Sequence, residues 1–377
     1  MMKKVFGIVI LYIGFSSFSF GQLTPISSNP ELKKLVLAGL DKMYNFKFKE
    51  AELVYKQVKA KLPGHPIYYM LMAMNMDWQW EPELTNDTLV RKMKGFLNHT
   101  VEMCEDMLNV QKKDDAEIMF IYFTAEGFLA RVNSMQGDFM SAVKNSTNAY
   151  RYVKKGFTLK EKFSDFYFST GMYNYYRERY PELHPIIKPF AKLMDAGNAL
   201  EGIEQLKGSY KSSLFSKMES ANYLVNIFFK YEGKPAEILS IIEEVVKKYP
   251  DNLFFVYKYA EGLLQTNQTE KALPYIEKLT ASNWAYYKCA GNIMQAWYYL
   301  NNSKATEAAI SMALADVSYK KMYKVNDNLH GYYYIVKGKL AQAEGKNPEA
   351  KKYYNTAANK AEYPSTMAEA KKLAAGL

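Results

Sequence analysis

Cysteine is almost missing from this sequence: Cys104 and Cys289 are the only two in 377 residues. They lie far apart and no C-x-x-C occurs, so thiol-redox and zinc-ribbon chemistry have no motif to work with. Histidine is scarce as well, with four residues, His65, His99, His184 and His330. No two of them stand at a metal-ligand spacing and H-E-x-x-H is absent. His65 and His184 sit in proline-rich turns, where a structural role is expected. His99 and His330 read as surface or packing residues. The nucleophile elbow G-x-S-x-G, the Walker A loop and G-x-G-x-x-G are all missing. Glu178, Glu182, Asp195 and Glu201 cluster in sequence, but no pair among them stands out as a glycosidase acid and base. The expectation is no catalytic residue, no cofactor and no metal. After the first twenty or so residues there is also no charge-free apolar run of the ~20 residues needed to span a bilayer.

What is present begins at the N-terminus. Lys3 and Lys4 precede an apolar run from Val5 to Phe15, and Ser19-Phe20-Gly21 places small residues before a cut. Residues 1–21 read as a secretory signal peptide, which makes the chain exported, periplasmic or secreted, with no integral membrane segment after cleavage. No cysteine follows the cut closely enough to be lipidated. The formal charge is +10, but the cations fall as scattered pairs such as Lys112-Lys113, Lys154-Lys155 and Lys351-Lys352. Pairs near helix ends are the ordinary solvated, dipole-matched pattern, and export argues against nucleic acid as a partner.

The rest of the chain is helical in pattern. Residues 22–28 read as a loose segment. Asn29-Pro30-Glu31 is a helix start, with a capping side chain, proline in the first turn and an acid at the positive end. Leu32, Leu35, Val36, Gly39, Leu40 and Met43 then follow at helical spacing. After Phe46-Lys47-Phe48 a second helix runs from about Lys49 to Lys61, with Ala51, Val54, Tyr55 and Val58 inward, and Pro63-Gly64-His65-Pro66 ends it. Counted from Leu32 as position 1, Gly39 is at position 8, Ala51 at 20, Tyr55 at 24 and Pro63 at 32. The same register returns with Gly338, Ala350 and Tyr354, with Ala260, Ala272 and Ile276, with Ala296, Ala308 and Met312, and in part around Ile238 and around Ala130 and Ala142.

This small/small/aromatic register resembles the tetratricopeptide-repeat superfamily, whose helix–turn–helix unit recurs every ~34 residues. The order YNFKFKEAE from Tyr44, YFSTGMYNYY from Tyr167 and Pro250-Asp251-Asn252 is also similar to that of secreted repeat proteins of Gram-negative bacteria. The resemblance implies an all-α fold: a right-handed superhelical solenoid of antiparallel helix pairs. The N-terminal helical region spans 29–160 and the C-terminal one 211–377. The segment 161–210, with its aromatic run Phe166–Tyr180 and prolines at 181, 185 and 189, fits the repeat poorly and is expected to hold irregular helices. In an open stack Cys104 and Cys289 should stay unpaired, since repeats touch mainly their neighbours.

The function expected from the resemblance is a non-enzymatic scaffold that binds a protein or peptide partner on its concave face. Alternatives are a glycan-binding component of nutrient uptake and an envelope enzyme without a recognisable motif. Such repeats take ligands on the first helix of each pair, at positions 2, 5, 9 and 12. In this numbering those are Tyr223, Ile227 and Lys230; Phe254, Tyr257 and Glu261; Ile293 and Trp297; and Tyr332, Ile335 and Lys339. The first repeat adds Lys33, Val36, Leu40 and Met43, which no N-terminal neighbour would cover. Intact mass of protein recovered from an exporting host should show a chain beginning at Gln22. A full-length product embedded in membrane would overturn the export assignment.

Overall fold

The computed structural model describes residues 25–80, 86–111, 115–183, 185, 188, 194–320, 322 and 328–377. The signal peptide expected over 1–21, and His184 and Pro189, lie outside them. Helices follow one another in antiparallel pairs: α1 (Pro30–Tyr44) with α2 (Phe48–Lys61), α3 (Ile67–Trp80) with α4 (Asp87–Glu105), and α5 (Ala116–Met135) with α6 (Phe139–Leu159). Next come α7 (Phe166–Leu183) with α8 (Ala199–Ser212), α9 (Lys217–Asn226) with α10 (Leu239–Lys248), and α11 (Leu253–Gln265) with α12 (Thr269–Thr280). Then come α13 (Ala285–Asn301) with α14 (Ala305–Tyr319) and α15 (Leu329–Ala343) with α16 (Asn347–Lys360), and α17 (Pro364–Ala375) covers the last pair. No strand occurs among the described residues. The fold is an all-α, tetratricopeptide-like solenoid.

Local chemistry sets the boundaries. Asn29 Oδ1 accepts from Glu31 N and Leu32 N at 3.1 Å, with Pro30 opening α1 as the sequence indicates. Asn252 caps α11 in the same way. Phe46, between α1 and α2, has φ 57°, a left-handed backbone that costs a non-glycine residue energy and is held by its packing. Its ring lies against Phe48, Trp78 and Trp284.

The repeat register is legible in the contacts, with one correction. A Cβ on Gly39 would lie 2.4 Å from Tyr55 Cε1, and one on Gly338 would lie 2.4 Å from Tyr354 Cε1. The space that glycine leaves at position 8 is therefore filled by the aromatic ring at position 24. The repeat register places Ala350 opposite Gly338 at the helix crossing; Ala350 is buried there, but the atoms nearest a Cβ on Gly338 are all of Tyr354. The phenols end alike: Tyr55 O–H points to Met43 Sδ at 3.5 Å and Tyr354 O–H donates to Gln342 Oε1 at 2.9 Å.

Further expectations change, although His65 keeps the structural role expected of it. Residues 26–28 form a 3-10 turn, and Ile26 is fully buried. Its N–H and that of Ser27 each donate to the buried Glu117 carboxylate at 3.0 Å. His65 accepts from Ile67 N at 3.1 Å through Nδ1 and turns Nε2 toward the same carboxylate at 3.5 Å, so its role is structural. This turn and α3 cover α1, which is why Val36, Leu40 and Met43 are buried and only Lys33 is exposed.

The central segment, expected to be irregular, is itself a close helix pair. A Cβ on Gly202 would sit 2.6 Å from Tyr175 N, and one on Gly171 would sit 2.9 Å from Gly202 O, so α7 and α8 cross backbone to backbone. What departs from the repeat is the length of sequence, residues 184–198, that separates them. Pro181 falls inside α7 instead of ending it. At the start of α7 the buried Asp165 accepts from Leu214 N, Phe215 N and Ser216 N at 2.7–3.0 Å, tying α7 to the turn before α9.

The stack is not open. The α1–α2 turn reaches the turn between α10 and α11: Asn252 Nδ2 donates to Tyr44 O at 2.8 Å, Asp251 N to Asn45 Oδ1 at 3.0 Å, and Tyr249 O–H to Asp41. Trp78 packs on Phe254 and Phe255. Cys104 and Cys289 are both buried, and no disulfide joins them. Replacing Gly338 with Leu should force the Tyr354 ring out of its site and cost about 1–3 kcal/mol, read as a lowered melting temperature. An unchanged melt would remove the glycine–tyrosine contact as the basis of the last repeat.

Candidate functional site

Closure of the superhelix leaves a space on its inner side. A cavity of about 460 Å³ lies where α3, α5, α7, α9, α11 and α13, the first helices of six pairs, converge. Trp78 comes from α3, Phe128 and Arg131 from α5, Tyr223 and Asn226 from α9, and Phe254 from α11. The end of α9 unwinds into a π turn, Ile227–Tyr231, and that turn carries Lys230 to the wall. Single π turns inside helices often mark functional positions.

The charges in and beside the cavity come as matched pairs set among rings. Arg131 pairs with Asp77, and its guanidinium stands 5.4 Å from the Phe128 ring. Trp78 Nε1 donates to Glu219 Oε1 at 3.2 Å. Lys230 pairs with Glu362 from the α16–α17 turn. Lys258 is almost fully buried. Its Nζ lies 2.8 Å from Glu261 Oε2, donates to Tyr363 Oη at 2.9 Å, and sits 4.5 Å from the Tyr257 ring centre. Tyr332 O–H donates to Glu261 Oε1 at 2.8 Å. Burial first, and the Glu261 charge second, push the Tyr332 phenol well above its ordinary range, so it stays a donor.

The described lining residues include Thr124 and four tyrosines, Tyr223, Tyr286, Tyr287 and Tyr363, but no Ser, Cys or His. Lys258 is engaged in an ion pair with Glu261. No group of three or more His, Cys, Asp or Glu among the described residues is arranged to hold a metal ion. The balanced pairs also give no concentrated cationic field for a polyanion.

Three of the expected contact residues, Tyr223, Lys230 and Phe254, line the cavity. Ile227, Tyr257, Glu261, Ile293, Trp297, Tyr332 and Ile335 are buried. The cause is the tight pitch. The first helices of the C-terminal pairs pack directly on one another, as the Trp297 and Tyr332 rings do at 5.4 Å. Lys339 is half-buried, over the Trp297 ring and paired with Glu369. Sequence reading missed Thr124, Gly127 and Arg131, although the register set by Ala142 puts them at positions 2, 5 and 9 of their pair. Nothing in the repeat pattern pointed to Glu362, which arrives from a distant turn.

No family model matches the sequence, and no curated protein matches it. Two solved structures align over most of the chain. One is the crystal structure of yeast Tom70, with 13% identity over 93% of this chain and 82% of that one, at a TM-score of 0.40. The other is the P58(IPK) TPR domain, with 14% identity over 92% of this chain and 99% of that one, at a TM-score of 0.24. Similarity at that level carries no argument about function, and the repeat assignment rests on the glycine–tyrosine contacts above.

Lys258→Met should leave Glu261 buried without its cation and cost about 3–5 kcal/mol, measured by urea unfolding. Adding Glu261→Leu should recover part of that loss. A single variant as stable as the parent would show that the pair is not fully desolvated.

Proposed function

We propose that this protein is a non-enzymatic, exported binding protein whose concave cavity holds a short segment of a protein or peptide partner. One observation carries the reading: six successive first helices deliver aromatic rings and matched charges to a single cavity of about 460 Å³. That volume falls within the range of ligand pockets, about 300–1,000 Å³. It suits a few residues of extended chain or a chain end and is too small for a partner helix. Aromatic walls such as Phe128, Tyr223 and Phe254 would anchor apolar side chains, while Arg131, Asn222 and Asn226 would orient the backbone. Export rests on the leader-like residues 1–21.

Gly127 supplies a clean test. It lines the cavity, and a Cβ built on it meets nothing within 4 Å. Gly127→Leu should therefore fill the cavity without strain, and helix propensity favours the change by roughly 0.8 kcal/mol. Screening a short-peptide library should find ligands for the parent that the variant no longer binds, with the melting temperature kept or raised. Peptide binding that survives the filling would place the site elsewhere. Binding confined to a glycan array, and lost in Gly127→Leu, would replace the peptide with a sugar.

A further inference from the structure

The outer face of α6 has a composition unlike the rest of the surface. Phe139, Met140 and Val143 are 67%, 83% and 63% exposed on one turn. Single exposed apolar residues are ordinary, whereas three adjoining ones form a patch that calls for an occupant. Helical spacing continues that face through Lys144, Arg151, Lys154 and Lys155, all exposed. The helix contains neither Asp nor Glu. Lys94 of α4 stands beside the patch, with Nζ 3.2 Å from Gln136 Oε1 in the preceding turn. Three acids come near: the buried Glu126 accepts from Asn145 and Asn148 on the inner flank of the helix, and two others lie toward the surface. Asp138 is engaged as the helix cap, accepting from Ser141 N at 3.1 Å, and Asp195 lies 3.5 Å from Lys154. As the second helix of its pair, α6 faces away from the cavity, where a flat surface can reach it.

We infer that this face is a peripheral docking site for an anionic lipid surface. Phe139, Met140 and Val143 would enter the headgroup–acyl boundary, and Lys94, Lys144 and Arg151 would lie on the lipid phosphates. Apolar insertion combined with a one-sign cationic face is the chemistry of an interfacial helix, and each cation near an anionic leaflet adds to the attraction. The other exposed apolar stripe, Ile310, Leu314 and Val317 on α14, lacks that charge pattern, because Glu307 and Asp316 share its helix. No helix among the described residues is long and apolar enough to cross a membrane, so attachment would be at the surface.

The test is co-sedimentation of the chain, without residues 1–21, with phosphatidylcholine vesicles made with or without phosphatidylglycerol. Removing the leader-like segment avoids its own partition into lipid. Binding should appear with phosphatidylglycerol only and weaken with salt. It should fall about tenfold or more in Phe139→Ser/Met140→Ser/Val143→Ser and again in Lys144→Glu/Arg151→Glu, with melting temperatures kept. Ile310→Ser/Leu314→Ser/Val317→Ser should bind like the parent. No binding to anionic vesicles would overturn the inference, as would equal loss in the α14 variant. Binding of a soluble acidic peptide through α6 without vesicle binding would assign the face to a protein.

Discussion

Everything on the inner side of this molecule depends on where the two halves of the superhelix meet. The α1–α2 turn is locked onto the α10–α11 turn by Asn252 on Tyr44 O, Asp251 on Asn45 and Tyr249 on Asp41. Backbone groups take part on both sides, so the contact fixes register as well as proximity. Phe46, held in a left-handed conformation, then seats its ring against Trp78, Trp284 and Tyr287. A repeat array with a looser pitch would keep a long open groove. This one closes, buries most of that groove and leaves a bounded cavity.

Burial of polar groups follows from the same closure. Lys258 and Glu261 sit on a face that an open stack would wet. Inside the closed one they must satisfy each other and the phenols of Tyr363 and Tyr332. Such a pair adds little net stability over apolar residues of the same shape, but it strongly penalises any arrangement that separates the partners. The α16–α17 turn brings Tyr363 to Lys258 and Glu362 to Lys230, so the last helices depend on the middle of the chain.

The α5–α6 pair presents different chemistry on its two sides. Inward, α5 contributes Phe128 and Arg131 to the cavity. Outward, α6 shows an apolar turn followed by cations. A solenoid allows this division because each helix of a pair has one side committed to packing and one free for other use.

Local rules were readable from the residues alone. Asn29 announced its helix because a capping side chain acts within three residues. The glycine at position 8 announced a close crossing because only small residues fit there, even though the ring of position 24, not the alanine of position 20, turned out to fill it. Part of the cavity was readable too: the register of Ala142 already pointed at Thr124, Gly127 and Arg131. The burial of Tyr257, Ile293 and Tyr332, the close α7–α8 crossing, and the arrival of Glu362 were not. They follow from the pitch of the whole array, a sum of small inter-helix rotations that no single repeat encodes, and from contacts between turns some two hundred residues apart.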